Sequence, residues 1–215
     1  MTDAIDHDGL EPTGILGLDF VNTMIQPGRG ATRDLLADGD SFRGWLTLIG
    51  RRDLLSAVPR DAPGLRVLMH EAARLRCALT ALFAATRSGS LLPSDAAHTI
   101  DRALRAGRTA YSLDVSGDRP RVRVTLEAVP LDARAGGRSS PRWTGIGPLS
   151  LLNPLARSAL ELAEAVDPTR LRPCAAPDCG RWFVDTSKGG RRKWCSMERC
   201  GNRAKAARYR SRHAD

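Results

Sequence analysis

Four of the five cysteines in this 215-residue chain form two pairs, and four residues separate the cysteines within each pair. Cys174 pairs with Cys179 and Cys195 with Cys200, and fifteen residues lie between the pairs. A four-thiolate zinc ion takes ligands in such pairs, because each short loop brings two sulfurs within about 2.3 Å of the metal. The spacing therefore predicts either one zinc site or two disulfides.

The rest of the sequence favours zinc over disulfides. Disulfide frameworks are typical of small secreted chains, whereas no apolar signal segment follows Met1 and Cys77 is left over. We therefore expect one structural Zn²⁺ and a cytoplasmic protein. A closed four-thiolate site offers no open position for water, and no spaced set of nucleophile and base accompanies it, so no enzyme is expected. No apolar run is long enough to span a bilayer, which excludes a membrane protein.

The residues around the cysteines predict a small treble-clef-like module. Residues 182–184 read as a strand, 188–190 as a tight turn and 192–194 as the returning strand. Ser196 has the position of an N-cap for a helix from about Met197 to Arg212. Asp185 is predicted to form a turn or to pair with an arginine. The expected miniature core consists of Trp182, Phe183 and Trp194.

Positive charge is concentrated in this module. The chain has 33 Lys and Arg against 24 Asp and Glu, and residues 170–215 hold thirteen basic and four acidic residues, which accounts for the whole excess of nine. Such a cluster is typical of a protein that binds a polyanion, because neutralised phosphates release counterions. We expect DNA as the partner and association with the nucleoid when bound. An RNA-binding or protein-interaction module without promoter specificity is the alternative.

Within this module, some residues are expected to contact base edges and others to contact phosphates. Asn202 and Arg203 have the side chains that bind adenine and guanine edges, although Asn202 could equally satisfy the zinc loop. A solvated basic helix face is the other interpretation of the cluster. The expected nucleic-acid contacts are Arg191, Arg192, Lys193, Asn202, Arg203, Lys205, Arg208, Arg210 and Arg212.

The preceding residues predict a helix-rich α+β domain with a small hairpin. Leucines recur along 64–86 at helical spacing, which favours a bundle contact, with a dimer seam as the alternative. Cys77, off that seam, is expected to be a packed side chain. Residues 14–23 are apolar and fit a strand or a short helix. The remaining expected elements are helices at 41–49 (capped by Ser41), 94–106 and 154–166, and strands at 109–115 and 121–129.

Several short motifs resemble a known family. Residues 183–187 (FVDTS), 194–197 (WCSM) and 200–203 (CGNR) resemble the CGNR zinc finger, and residues 18–23 (LDFVNT) resemble the opening of the ABATE domain that usually precedes it. The resemblance implies a bacterial, stress-linked transcription regulator. Residues 14–167 would be an ABATE-like sensing or dimerisation domain that could bind a small-molecule effector. Residues 172–213 would be the DNA-binding finger.

Overall fold

The computed structural model describes residues 11–25, 33–114, 121–128, 149–177 and 179–213; for 25, 33, 109–114, 121–128 and 212 it describes the backbone alone. Helices predominate in these ranges, and the strands form three antiparallel pairs, which confirms the predicted α+β class. The helices are α1 Leu16–Val21, α2 Gly39–Leu48, α3 Arg52–Ala57, α4 Ala62–Ser88, α5 Ser94–Arg105, α6 Asn153–Ala165 and α7 Asn202–Arg212. The strand pairs are β1 Met24–Ile25 with β2 Arg33–Asp34, β3 Gly107–Asp114 with β4 Arg121–Ala128, and β5 Leu171–Pro173 with β6 Trp182–Val184.

Helix α4 forms the centre of the fold. It begins after Asp61, whose carboxylate accepts a hydrogen bond from the Gly64 amide (2.7 Å), and it ends at Gly89 in the left-handed conformation (φ 70°). The predicted leucine seam is buried in the chain's own core, so it is an intramolecular contact and not a dimer seam. Cys77 lies away from that seam and is exposed, so the prediction of a packed thiol was wrong.

Helix α1 resolves the ambiguity of residues 14–23 in favour of a helix. Its backbone packs directly on α6, because a Cβ at Gly17 would lie 2.3 Å from the Ala159 amide nitrogen. Asp19 within it is buried and accepts hydrogen bonds from the Thr13 amide and hydroxyl, both at 2.7 Å. Burial raises the pKa of Asp19 in spite of those bonds.

Helix α2 begins earlier than the sequence suggested. Asp38 is its N-cap and accepts a hydrogen bond from the Ser41 amide (2.7 Å), so the prediction of Ser41 as the cap was wrong. A carboxylate three residues upstream satisfies the same free amides that a serine would. The helix contributes Trp45 to the core, where its ring centroid lies 5.6 Å from Phe42 and 5.8 Å from Phe20.

The β3–β4 hairpin confirms the predicted change from helix to strand. Its register runs from Gly107 opposite Ala128 to Asp114 opposite Arg121. The segment expected to join the two strands, residues 116–120, lies outside the described residues. Gly107 anchors the hairpin on the helical layer, because a Cβ there would lie 3.0 Å from the Ser150 carbonyl oxygen.

The cysteine-rich segment shares its core with the preceding helices. Leu171 of β5 and Trp182 of β6 are buried in the same hydrophobic cluster as Phe83 of α4. The Phe83 and Trp182 rings meet edge to face at 5.8 Å. Trp182 therefore packs in the large core, whereas Phe183 packs with the cysteines and with Trp194 in a second, smaller cluster.

Candidate metal centre and nucleic-acid interface

A strand ahead of the first cysteine forms the scaffold of the metal site. Strand β6 pairs with β5, Leu171 opposite Val184 and Pro173 opposite Trp182, so the predicted return strand at 192–194 was wrong. Residues 191–194 instead run beside the first cysteine loop, where the Ala175 amide donates to the Lys193 carbonyl (2.8 Å). The two cysteine loops are thereby held against each other.

Asp185 shapes the loop that replaces the predicted tight hairpin. Its buried carboxylate accepts from the Ser187 amide (2.9 Å), the Ser187 hydroxyl (2.5 Å) and the Arg192 amide (2.8 Å). The hydrogen bonds from Ser187 lower the pKa of Asp185, so the carboxylate stays charged although it is buried. Arg172 lies 3.6 Å from the same carboxylate, which confirms the predicted turn-forming and arginine-pairing roles.

Arg170 fixes the same loop from the other side, a role that the sequence did not reveal. Its guanidinium donates to the carbonyl oxygens of Asp185 and Ser187, both at 2.8 Å. Gly190 closes the loop in the left-handed conformation (φ 58°). Lys188, Arg191 and Lys193 project from this rigid loop into solvent.

The four predicted ligand sulfurs converge on one point. The Sγ atoms of Cys174, Cys179, Cys195 and Cys200 all lie within 4.8 Å of one another, and Cys195 Sγ lies 3.5 Å from Cys179 Sγ and 3.6 Å from Cys200 Sγ. Zinc bound tetrahedrally at 2.3 Å from each sulfur would space them by about 3.8 Å. All four are free thiols, so the disulfide alternative was wrong. The cluster can hold one zinc ion.

The electrostatics of the cluster also fit a divalent cation. Hydrogen bonds from the Cys179 and Cys195 thiols lower the pKa of Cys174, and the same bonds raise the pKa of Cys179 and of Cys195. Without a metal the sulfurs must therefore share protons, because several thiolates this close repel one another. Zinc would replace those protons and bind all four as thiolates. The Arg203 guanidinium lies 3.6 Å from Cys200 Sγ and adds a fixed positive charge.

A widened turn joins the last ligand to helix α7. Ser196 is its N-cap, as predicted, and accepts from the Arg199 amide (3.4 Å). Residues Met197–Gly201 then form a π-type turn, so the predicted continuous α-helix from Met197 was wrong and α7 starts at Asn202. The turn packs closely on the Met197 side chain, because a Cβ at Gly201 would lie 2.4 Å from Met197 Sδ and 3.2 Å from Trp194 Cδ1.

The predicted nucleic-acid residues divide by exposure. Those exposed to solvent are Arg191, Lys193, Asn202, Lys205, Arg208 and Arg210. Arg192 is half-buried, with its guanidinium 5.1 Å from the Phe183 ring centroid and bonded to the carbonyls of Trp194 (2.8 Å) and Cys195. Arg203 is half-buried against Cys200. The side chain of Arg212 lies outside the described residues. Arg192 and Arg203 thus also support the metal loop.

One contact between the two parts of the chain had only a faint signal in the sequence. The buried Asn22 side chain donates to the Trp182 carbonyl (2.9 Å) and accepts from the Trp182 amide (2.8 Å). Asn22 is polar within an apolar segment, which indicates a partner but does not identify it. The contact attaches α1 to the strand next to Cys179.

Comparison with known proteins gives two family matches. A family model described as "Putative stress-induced transcription regulator" and named ABATE matches residues 14–165. The CGNR zinc finger model matches residues 170–213. No curated protein matches the chain. In the described ranges, no helix has both the length and the apolar composition that a membrane crossing requires.

Proposed function

The chain belongs to the ABATE family and carries a CGNR zinc finger, and on that basis we propose that it is a zinc-dependent, DNA-binding transcription regulator. Residues 172–213 bind DNA, and residues 14–167 sense an effector or dimerise and so modulate binding. Both family descriptions concern regulation or metal binding and neither describes an enzyme. The regulator acts in the cytoplasm, at the nucleoid.

The exposed basic surface of α7 supports this proposal most strongly. Residues 205–211 are all exposed, and residues 202–212 contain five Lys or Arg and no Asp or Glu. An eleven-residue helix is marginal in water without packing, and its like charges repel one another. A phosphate backbone would provide counter-charge along the exposed face of the helix. This argues for a polyanionic partner more directly than net charge alone.

The loop at 188–193 offers a second set of cations. Lys188, Arg191 and Lys193 are exposed on a backbone that Asp185 and Arg170 hold in place. Cations on a rigid support lose less conformational entropy on binding than cations on a mobile tail. We assign this loop to phosphate contacts beside those of α7.

Zinc contributes structure to this interface. Cys195 precedes the turn from which α7 starts and Cys200 lies within it, so the ion would fix the direction of the helix relative to the loop. A closed four-thiolate ion has no vacant position for substrate. The metal therefore makes DNA binding possible without contacting DNA.

The proposal is tested by the salt dependence of DNA binding. In fluorescence anisotropy with duplex DNA, replacing Arg208, Arg210 and Arg212 by Gln should reduce the slope of log K against log salt by about 2 to 3, because each lost phosphate contact removes about 0.9. The matched control replaces three exposed arginines elsewhere, Arg66, Arg74 and Arg105, and so removes the same charge.

The control should leave the slope close to that of the wild type. Equal slopes for the two triple variants would contradict the assignment of α7. A chain that binds bulk DNA, RNA and a selected duplex equally tightly at physiological salt would support the alternative of a module without promoter specificity.

A further inference from the structure

An aromatic side chain stands exposed in the middle of the basic helix. Tyr209 is 65% exposed, and its ring stacks on His213 with a centroid distance of 4.1 Å and an interplanar angle of 24°. The His213 ring nitrogen Nδ1 also lies 2.9 Å from the Tyr209 carbonyl oxygen. The stacked pair therefore has a defined orientation on the outside of the helix. Arg208 and Arg210, on either side of Tyr209 in sequence, are exposed as well.

The pair ends a continuous stripe that runs along α7 to its C-cap, His213. At about 100° per residue, Asn202, Ala206, Tyr209 and His213 fall within an arc of about 60°. We call these four residues the reading stripe; all four are exposed. Lys205 lies about 40° beyond one edge of the stripe, and Arg210 about 40° beyond the other. The stripe thus contains no Lys or Arg, and a cation lies on each side.

We propose that the reading stripe enters the major groove of duplex DNA and discriminates its sequence. This inference rests on the proposed function and assigns the surface that reads bases. An α-helix with side chains is about 10–12 Å wide and the groove is about 12 Å wide, so the flanking cations face the two phosphate backbones. The Asn202 carboxamide suits the N6 and N7 edge of adenine, and the Ala206 methyl suits the methyl of thymine.

The same geometry argues against single-stranded nucleic acid as the partner. Single-strand binding relies on several aromatic platforms along a groove, each stacking one base. In the reading stripe the two rings stack on each other, which occupies one face of each. The small Ala206 also lets the helix approach base edges closely, which a duplex groove rewards.

The test begins with selection of a preferred duplex from a random library by the zinc-loaded full chain. Affinities for that duplex and for a scrambled duplex are then measured by anisotropy at several salt concentrations. Tyr209→Ala and Asn202→Ala should each reduce the ratio of the two affinities by about fivefold to a hundredfold, without changing the salt slope. Ala206→Gln, which adds bulk without charge, should reduce the ratio as well.

Arg210→Gln, at the edge of the reading stripe, is the matched control from the same helix. It should weaken binding to both duplexes by the same factor and lower the salt slope by about 0.9, because it removes a phosphate contact. One zinc per chain and an unchanged helix signal in circular dichroism establish that each variant is folded. The substituted side chains are exposed, so folding should be retained.

The outcomes separate this inference from the proposed function. Duplex binding in which the ratio is unchanged by Tyr209→Ala and by Asn202→Ala would overturn the reading stripe and leave a DNA-binding regulator intact. Tighter binding to the single strand than to the duplex would also overturn it. Absence of binding to any DNA would overturn the proposed function itself.

Discussion

Replacing Asn22 by Ala should destabilise the whole chain, although Asn22 lies far from the cysteines in sequence. In the β5–β6 ladder, Cys174 with Arg181 and Asp185 with Arg170 are hydrogen-bonded pairs. The Cys174 amide donates to the Arg181 carbonyl oxygen (2.7 Å), and the Asp185 amide donates to the Arg170 carbonyl oxygen (2.8 Å). Trp182 lies midway between Arg181 and Phe183, so its amide and carbonyl point away from β5. The Asn22 carboxamide bonds both groups, as a neighbouring strand would.

The cost follows from the two backbone groups that lose their partner. A buried donor or acceptor left unsatisfied costs about 1 to 3 kcal/mol, so the loss of both should lower the free energy of unfolding by about 2 to 6 kcal/mol. For a chain of this size, this corresponds to a fall of about 4 to 24 °C in melting temperature. An exposed hydrogen bond of the same kind should cost less than about 0.5 kcal/mol.

The assay is thermal and urea unfolding of the zinc-loaded chain, followed by tryptophan fluorescence. The control is Thr47→Ala, which removes an exposed hydroxyl bonded to the Arg43 carbonyl (2.9 Å). Asn22→Ala should also release zinc faster to a chelator, because β6 leads directly from Cys179. If Asn22→Ala and Thr47→Ala unfold at the same temperature, the hydrogen bonds between Asn22 and Trp182 do not hold the preceding helices and the zinc module together.

Three further outcomes are expected. Gly17→Ala should lower the free energy of unfolding by about 1 to 3 kcal/mol, because the clash with the Ala159 backbone outweighs the roughly 1 kcal/mol that alanine gains within a helix. Urea unfolding measures the difference, and a rise in the free energy of unfolding would mean that α1 and α6 can separate to admit the methyl group. Burial tends to raise the pKa of Asp34, but hydrogen bonds from Arg76 (2.5 and 2.7 Å) hold the pKa below its ordinary value. The ion pair therefore stabilises the fold above about pH 4, and this stabilisation is lost as pH falls through the folded pKa. Asp34→Asn should therefore cost about 1 to 3 kcal/mol at pH 7, and in acid-unfolding curves the cost should shrink as pH falls through the folded pKa; a difference independent of pH would contradict this. Metal analysis should give one zinc per wild-type chain and a clear deficit for Cys200→Ser, whereas full zinc in that variant would exclude Cys200 as a ligand.

Most of the fold that could be predicted from sequence was indicated by strong local patterns. Helix α4 was expected at 64–86 and spans Ala62–Ser88, because a repeated apolar spacing over six turns has few other solutions. The cysteine cluster that can hold zinc was equally predictable, since two pairs of cysteines indicate a site without any tertiary information. Each of these signals is contained within one stretch of chain.

The pairing of β6 with β5, in contrast, could not be predicted from sequence, because it depends on contacts between residues distant in sequence and includes a proline in a strand. The loop after β6 contains Gly189 and Gly190, which favour a hairpin to the residues that follow. Asp185 and Arg170 bind that loop instead, and β6 pairs with a strand ending in Pro173, a residue that local propensity disfavours in sheets. Only the tertiary hydrogen bonds decide between these two pairings.

Because the zinc module and the preceding helices share a core, zinc binding and the stability of those helices should be coupled, whatever the identity of any effector. Trp182 packs on Phe83, and its backbone is bound by Asn22, so disorder in the zinc module would remove buried contacts from the preceding helices. Zinc binding, on the order of 10 kcal/mol in small modules, should therefore stabilise residues 14–167 as well. Because coupling between binding events is reciprocal, a ligand of those helices whose affinity zinc raises must raise the affinity for zinc by the same factor. Strand β6, which contacts both the core and the metal loop, is the element through which such coupling would act.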